Sequence, residues 1–150
     1  MTPFVTAGAG FLLAVLWFDL MFDTQALRHR EQEVPDEALG SVASYYRRVT
    51  TAARPMNALV GAVMAGTLAA IVAQIIGDDA PDWAAWASLA LAGAAIALAA
   101  VHTYPAAVRL GSRQDPAHRQ SRLARSIGRN HLLCLAAIAA VLVIQLVFAG

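Results

Sequence analysis

Lysine is absent from this 150-residue chain, and all eleven basic residues are arginine. Charge of either sign is scarce, at 14% against 59% hydrophobic residues, with a mean hydropathy of +0.56. A soluble domain carries roughly 25% charged residues, so too few are available here to clothe so apolar a chain in water. Cysteine occurs once, as Cys134, which excludes an internal disulfide and any Cys/His zinc spacing. Its simplest reading is a small buried apolar residue. The alternating segments of about ten residues that a membrane β-barrel requires are missing.

What the chain does have is long apolar runs, at 4–22, 56–76, 84–101 and 132–149. Each approaches the ~20 residues that carry a helix across a hydrocarbon core. Ala, Gly and Leu dominate them, and only Asp19 places a formal charge clearly inside one. The expected fold is therefore an all-α integral membrane protein, a single four-helix transmembrane bundle over residues 1–150. The first run lacks the positive start and small-residue cleavage site of a secretory signal, so it reads as a retained span.

Arginine distribution orients the bundle. Arg28, Arg30, Arg47, Arg48 and Arg54 lie between spans one and two, and Arg109, Arg113, Arg119, Arg122, Arg125 and Arg129 between spans three and four. The loop between spans two and three carries only Asp78, Asp79 and Asp82. Positive-inside bias then places the first and third loops in the cytoplasm and both termini on the other side. A bacterial-type inner membrane is the expected location. Trp83 and Trp86 would sit in the opposite interfacial belt.

The first cytoplasmic loop holds a helix of its own. Pro35-Asp36-Glu37 is a helix start, and Leu39, Val42, Tyr45, Tyr46 and Val49 recur at spacings of three and four to make one apolar stripe. This short helix is expected on the membrane surface or folded beneath the bundle. Residues 111–116 read as a turn, and 119–129 as a basic helical lead-in to span four. Gln74 and Gln145, at similar depth in spans two and four, form a candidate interhelical hydrogen bond.

Polar residues converge at the arginine-rich end. Asp19 and Asp23 are four apart, hence on one helix face, with Asp19 about one turn inside the hydrocarbon. An acid at that depth needs a partner and marks a functional site by default. Arg54 and Asn57 enter span two at this level, His102 leaves span three, and Arg129, Asn130 and His131 enter span four. The plainer reading makes Arg54 and Arg129 interfacial anchors and the histidines edge residues. A cofactor-free acid–base site would use Asp19, His102 and His131 as catalytic groups, with Trp17, Asp23, Arg54, Asn57 and Arg129 binding substrate. No metal ligand is assigned, because the paired Glu-x-x-His signature is missing and no span contains a Glu. The cofactor is left unknown.

Three segments carry a family likeness: Trp17-Phe18-Asp19-Leu20-Met21-Phe22-Asp23, Tyr45-Tyr46-Arg47-Arg48-Val49 with Arg54-Pro55-Met56-Asn57, and His102-Thr103-Tyr104-Pro105 with 125–132. Their layout resembles the small four-helix membrane proteins of the anthrone-oxygenase-like family. The resemblance implies a small oxidoreductase-like enzyme acting on lipophilic, polyketide-type substrates. The expected partners are the lipid bilayer, a lipophilic small molecule and further copies of the chain, with no nucleic acid. The alternatives are an assembly or regulatory subunit of the membrane, and an oligomeric solute or proton-linked transporter.

Overall fold

The computed structural model describes residues 1–29, 33–52 and 54–149, with Arg54 described in its backbone only. Every regular element among them is helical. Helix α1 (Thr2–Leu27) starts with Pro3 in its first turn and runs without a break through the first apolar segment. Helix α2 (Asp36–Arg47) follows Pro35, with Asp36 and Glu37 facing the positive end of its dipole. A π-helical turn (Arg48–Ala52) leads towards α3 (Arg54–Gly77). Asp78 then adopts a left-handed φ of 55°, and the chain reverses into α4 (Asp82–Leu98). A second π turn (Ala99–Thr103) joins α4 to α5 (Tyr104–Ser112). Arg113, again left-handed, breaks the path before α6 (Ala117–Phe148).

Among the described residues, four helical stretches are long and apolar enough to cross a membrane: Thr2–Leu27, Pro55–Gly77, Asp82–Ser112 and Ala117–Phe148. The chain is thus a four-helix membrane bundle, with α2 folded beneath it. Three of the stretches outrun the apolar segments that announce them. At 1.5 Å per residue, the 32 residues of α6 reach about 48 Å, well beyond a hydrocarbon core of ~30 Å. The surplus turns carry the arginines, and they stay helical because α2 and α5 pack against them.

Around the bundle the order is α1, α3, α4, α6, with α6 closing on α1. Two apolar cores result. Val5, Ala9, Leu12, Ile71, Ala92, Ile138 and Val141 fill the membrane core. Ala26, Leu39, Val42, Ala43, Leu110, Ala124 and Ile127 fill a second core at the arginine-rich end, between α2, α5 and the extended ends of α1 and α6. The stripe Leu39, Val42, Tyr46 is what α2 buries there. Two glycines permit the closest approaches. A Cβ on Gly111 would lie 2.9 Å from the Arg47 backbone nitrogen, so α5 and α2 cross with no room for a side chain. A Cβ on Gly8 would overlap Thr67 Oγ1, so α1 and α3 touch near their acidic-loop ends.

That end is also stitched by polar groups. Gln74 Nε2 donates to Gln145 Oε1 at 2.8 Å and Gln145 Nε2 to Ser88 Oγ at 3.0 Å, all three residues being buried. Towards the arginine-rich end α3 stands further off. Nothing lies within 4 Å of a Cβ built on Gly61, and the fully buried positions of α3 all fall at Thr67 or beyond. A bundle pinched at one end and open at the other leaves a space, and the polar layer borders it.

Candidate functional site

Five side chains from three elements meet where the two cores join. α1 supplies Asp19 and Asp23, α2 supplies Tyr45 and Tyr46, and α6 supplies His131. The imidazole is the centre. Its Nδ1 lies 2.6 Å from Asp23 Oδ2, and its Nε2 lies 3.8 Å from Asp19 Oδ2. Each carboxylate receives a phenol on its other oxygen. The Tyr46 hydroxyl donates to Asp23 Oδ1 at 2.5 Å, and the Tyr45 hydroxyl to Asp19 Oδ1 at 2.6 Å. Asp23 is wholly enclosed at 0% exposure, whereas the Asp19 side chain keeps 15%.

The sequence builds this layer from simple rules. Residues four apart on α1 set both carboxylates on one face. Adjacent residues on a helix point about 100° apart, so Tyr45 and Tyr46 reach different carboxylates from one turn of α2. The Phe22 ring stacks on Tyr45 with centroids 4.0 Å apart and planes 8° from parallel, which fixes the phenol over Asp19. Burial, reinforced by the neighbouring carboxylates, pushes both phenols well above the usual tyrosine range. They therefore remain protonated donors at any physiological pH. Two acids deep in an apolar setting are tolerated because each has a hydrogen-bond donor and a histidine within reach.

Beside this layer lies a cavity of about 560 Å³, bounded by α1, α3, α6, α5 and both π turns. Asp19, Tyr46, Asn57 and His131 are polar residues on a wall that is otherwise largely Ala, Val, Gly and Met. Ala58, Gly61, Ala100 and Tyr104 border it and are themselves exposed, so the cavity opens sideways between α3 and the α4–α5 junction. A smaller space of about 100 Å³ continues past Asp19 and His131 towards Cys134 and Ile138. π turns frequently mark functional positions, and both of those found here face the cavity, through Val49 and Thr50 and through Ala99, Ala100 and Thr103.

The structure sorts the residues expected from sequence. Asp19, Asp23 and His131 come together as described. Asn57 lines the cavity and donates from Nδ2 to the Val49 carbonyl at 2.6 Å, holding the first π turn against α3. His102 is exposed and does not line the cavity, because the second π turn gives the inward position to Thr103. Thr103 in turn accepts from Asn130 Nδ2 at 3.2 Å. Trp17, 64% exposed, lies on the outer surface of α1 away from the polar layer. Arg129 is exposed two residues before His131 and is not part of the wall. The side chain of Arg54 lies outside the described residues. Tyr45 and Tyr46, expected only as part of an apolar stripe, are the functional groups that sequence reasoning missed. Their signal was two adjacent hydroxyl-bearing rings on a helix facing a paired-acid helix.

The outer rim of this end is held by charge. Arg109 donates from Nε and Nη2 to Asp115 at 2.7 and 2.9 Å, and Arg113 to Asp36 at 2.6 Å. The hydrogen bonds from Arg109 keep the Asp115 carboxyl below its ordinary range. Among the described residues, no group of three or more His, Cys, Asp or Glu side chains is arranged to hold a metal ion.

Comparison with known proteins adds one finding. A family model named SHR3_chaperone and described as "ER membrane protein SH3" matches residues 1–148. No curated protein and no solved structure matches the chain. The match overturns three expectations. The anthrone-oxygenase-like resemblance fails, because it rested on the order of spans and on polar residues at their ends, features that many four-helix membrane proteins with basic loops share. The oxidoreductase-like enzyme acting on a lipophilic substrate falls with it, in favour of the assembly alternative. The bacterial inner membrane gives way as well, since the matching family is described from the ER membrane; arginine-rich loops report sidedness, not the organelle.

Proposed function

The chain belongs to the SHR3 chaperone family, and from that premise we propose that it is a membrane-resident chaperone that shelters transmembrane segments of other proteins before they assemble. The observation that carries this reading is the cavity of about 560 Å³ opening sideways between α3 and the α4–α5 junction. A space of this size falls within the range of sites that take a ligand, roughly 300–1,000 Å³. Its lateral mouth and small-residue rim suit an entrant arriving from the bilayer.

Helix–helix contact in lipid depends on close backbone approach and on interhelical hydrogen bonds, because lipid tails are as apolar as leucine. The cavity offers both. Ala58 and Gly61 on α3 face Ala99 and Ala100 on the other wall, and the hydrogen-bonding groups of Asn57, Thr103 and Asp19 lie between them. An unassembled helix with an unsatisfied polar group is costly to leave in hydrocarbon, so a polar-floored, apolar-walled cleft gives it a temporary partner. The α1–α6 seam and the tyrosine-capped acids form the floor, and α3 forms one side of the mouth.

Site-specific photocrosslinking tests this. A photoreactive residue at Ala100, on the rim, should crosslink to newly made multi-pass proteins early in a pulse–chase and lose them as they mature. The same probe at Val143, an exposed position near the other end of α6, should not. Equal crosslinking from both positions, or none from Ala100, would remove the cavity from the account.

A further inference from the structure

The cavity floor carries more negative than positive groups. Asp19 and Asp23 both face His131, so even a protonated imidazole balances only one carboxylate, and no arginine or lysine lines the cavity among the described residues. The two acids differ in how fully they are met. Both oxygens of Asp23 are within 2.6 Å of a partner, and the residue is sealed. Among the described residues Asp19 is met on Oδ1 alone, by Tyr45; its Oδ2 has there only the imidazole at 3.8 Å, beyond hydrogen-bond distance. Asp19 also borders both the large cavity and the smaller space behind it. A carboxylate oxygen without a hydrogen bond in an apolar cavity calls for a cation with N–H donors.

We propose that the cavity is a receptor for a basic side chain carried on a client transmembrane helix, with Asp19 Oδ2 as its counter-charge. This rests on the chaperone reading and names what the chaperone recognises. Charge complementarity chooses the occupant. A lysine or arginine within a transmembrane segment is costly until that segment finds its partners. Such a residue reaches Asp19 from the side through the open mouth, while Gly61 and Ala58 let the client backbone come close. Tyr45 and the stacked Phe22 hold the carboxylate in place, and Asp23–His131–Tyr46 forms the fixed backing.

The test uses the full chain in lipid nanodiscs and three fluorescent Leu–Ala transmembrane peptides, identical but for Lys, Leu or Glu at one position a turn inside the hydrocarbon. The Lys peptide should bind at least about tenfold more tightly than the Leu peptide, with the Glu peptide weakest. Asp19→Asn keeps an acceptor for Tyr45 and should abolish the Lys preference, so that the Lys and Leu peptides bind the variant alike. Gly61→Leu, at a position with nothing within 4 Å of its Cβ, should block binding of all three without touching the acids. Dodecylammonium serves as a lipid-like cation. If it binds in an Asp19-dependent way and the Lys peptide does not, the occupant is a cationic amphiphile and the proposal is overturned. Equal binding of Lys and Leu peptides overturns the charge selection alone and leaves the chaperone reading standing. If no peptide binds, the receptor is refuted, and the crosslinking result still decides the chaperone reading separately.

Discussion

Removing one oxygen from Tyr46 is the sharpest perturbation the polar layer offers. Tyr46→Phe keeps a ring that is 3% exposed, so packing is conserved, but it strips Asp23 Oδ1 of its donor at 2.5 Å. Asp23 is sealed from water, and among the described residues no other donor reaches that oxygen. A hydrogen bond to a charged group contributes about 1.5–3 kcal/mol, and an orphaned buried acceptor bears its desolvation cost in full. Neutral interhelical bonds in membranes average only about 0.6 kcal/mol, so Gln145→Leu at the opposite end sets a useful lower comparison. The expected order is Tyr46→Phe well above Tyr45→Phe, whose ring is half-buried. The assay is reversible unfolding in mixed micelles, followed by circular dichroism, with a double-mutant cycle adding Asp23→Asn. A coupling of at least about 1 kcal/mol between positions 46 and 23 is expected. A Tyr46→Phe loss below that of Gln145→Leu, or a coupling near zero, would refute the view that this layer anchors α2 to the bundle.

Glycine substitutions should separate the closed from the open parts of the bundle. Gly111→Ala drives a methyl into the Arg47 backbone, which cannot yield, and should cost at least about 1–3 kcal/mol and expose α2 to protease. Gly61→Ala meets nothing and should leave the unfolding midpoint unchanged or slightly raised. The raised phenols of Tyr45 and Tyr46 give a pH signature. Their protons are held more tightly in the folded state than in the unfolded, so this contribution is whole below the ordinary tyrosine pKa of about 10 and is lost as pH climbs beyond it. In a Tyr104→Phe background, whose only tyrosines are these two, the tyrosinate absorbance should rise late and together with unfolding. Ordinary titration near pH 10 would contradict their burial.

Much of the architecture could be read from composition. Four apolar runs, arginine on alternate loops, and the Pro35 start with its stripe at Leu39, Val42 and Tyr46 were enough for the bundle and for α2 beneath it. So was the paired acid on α1, because spacing of four on a helix admits one geometry. His102 was misread because inward positions run Ala95, Ala99, Thr103, Ala107, four apart through a π turn that no residue type announces. Tyr45 and Tyr46 were half seen. A tyrosine ring satisfies an apolar stripe, and the sequence does not say that its hydroxyl finds an acid on a helix more than twenty residues earlier. The cavity was invisible for a similar reason, since it arises from how far α3 stands off, a property of the crossing at Gly8 and Thr67 rather than of any local pattern.

The most direct measurement of the chaperone account is the abundance of integral membrane proteins in cells lacking the chain, with wild type or Gly61→Leu restored. A subset of multi-pass proteins should fall in amount and accumulate as aggregates or degradation products, and wild type but not Gly61→Leu should restore them. An unchanged membrane proteome, or full rescue by the cavity-blocked variant, would contradict it.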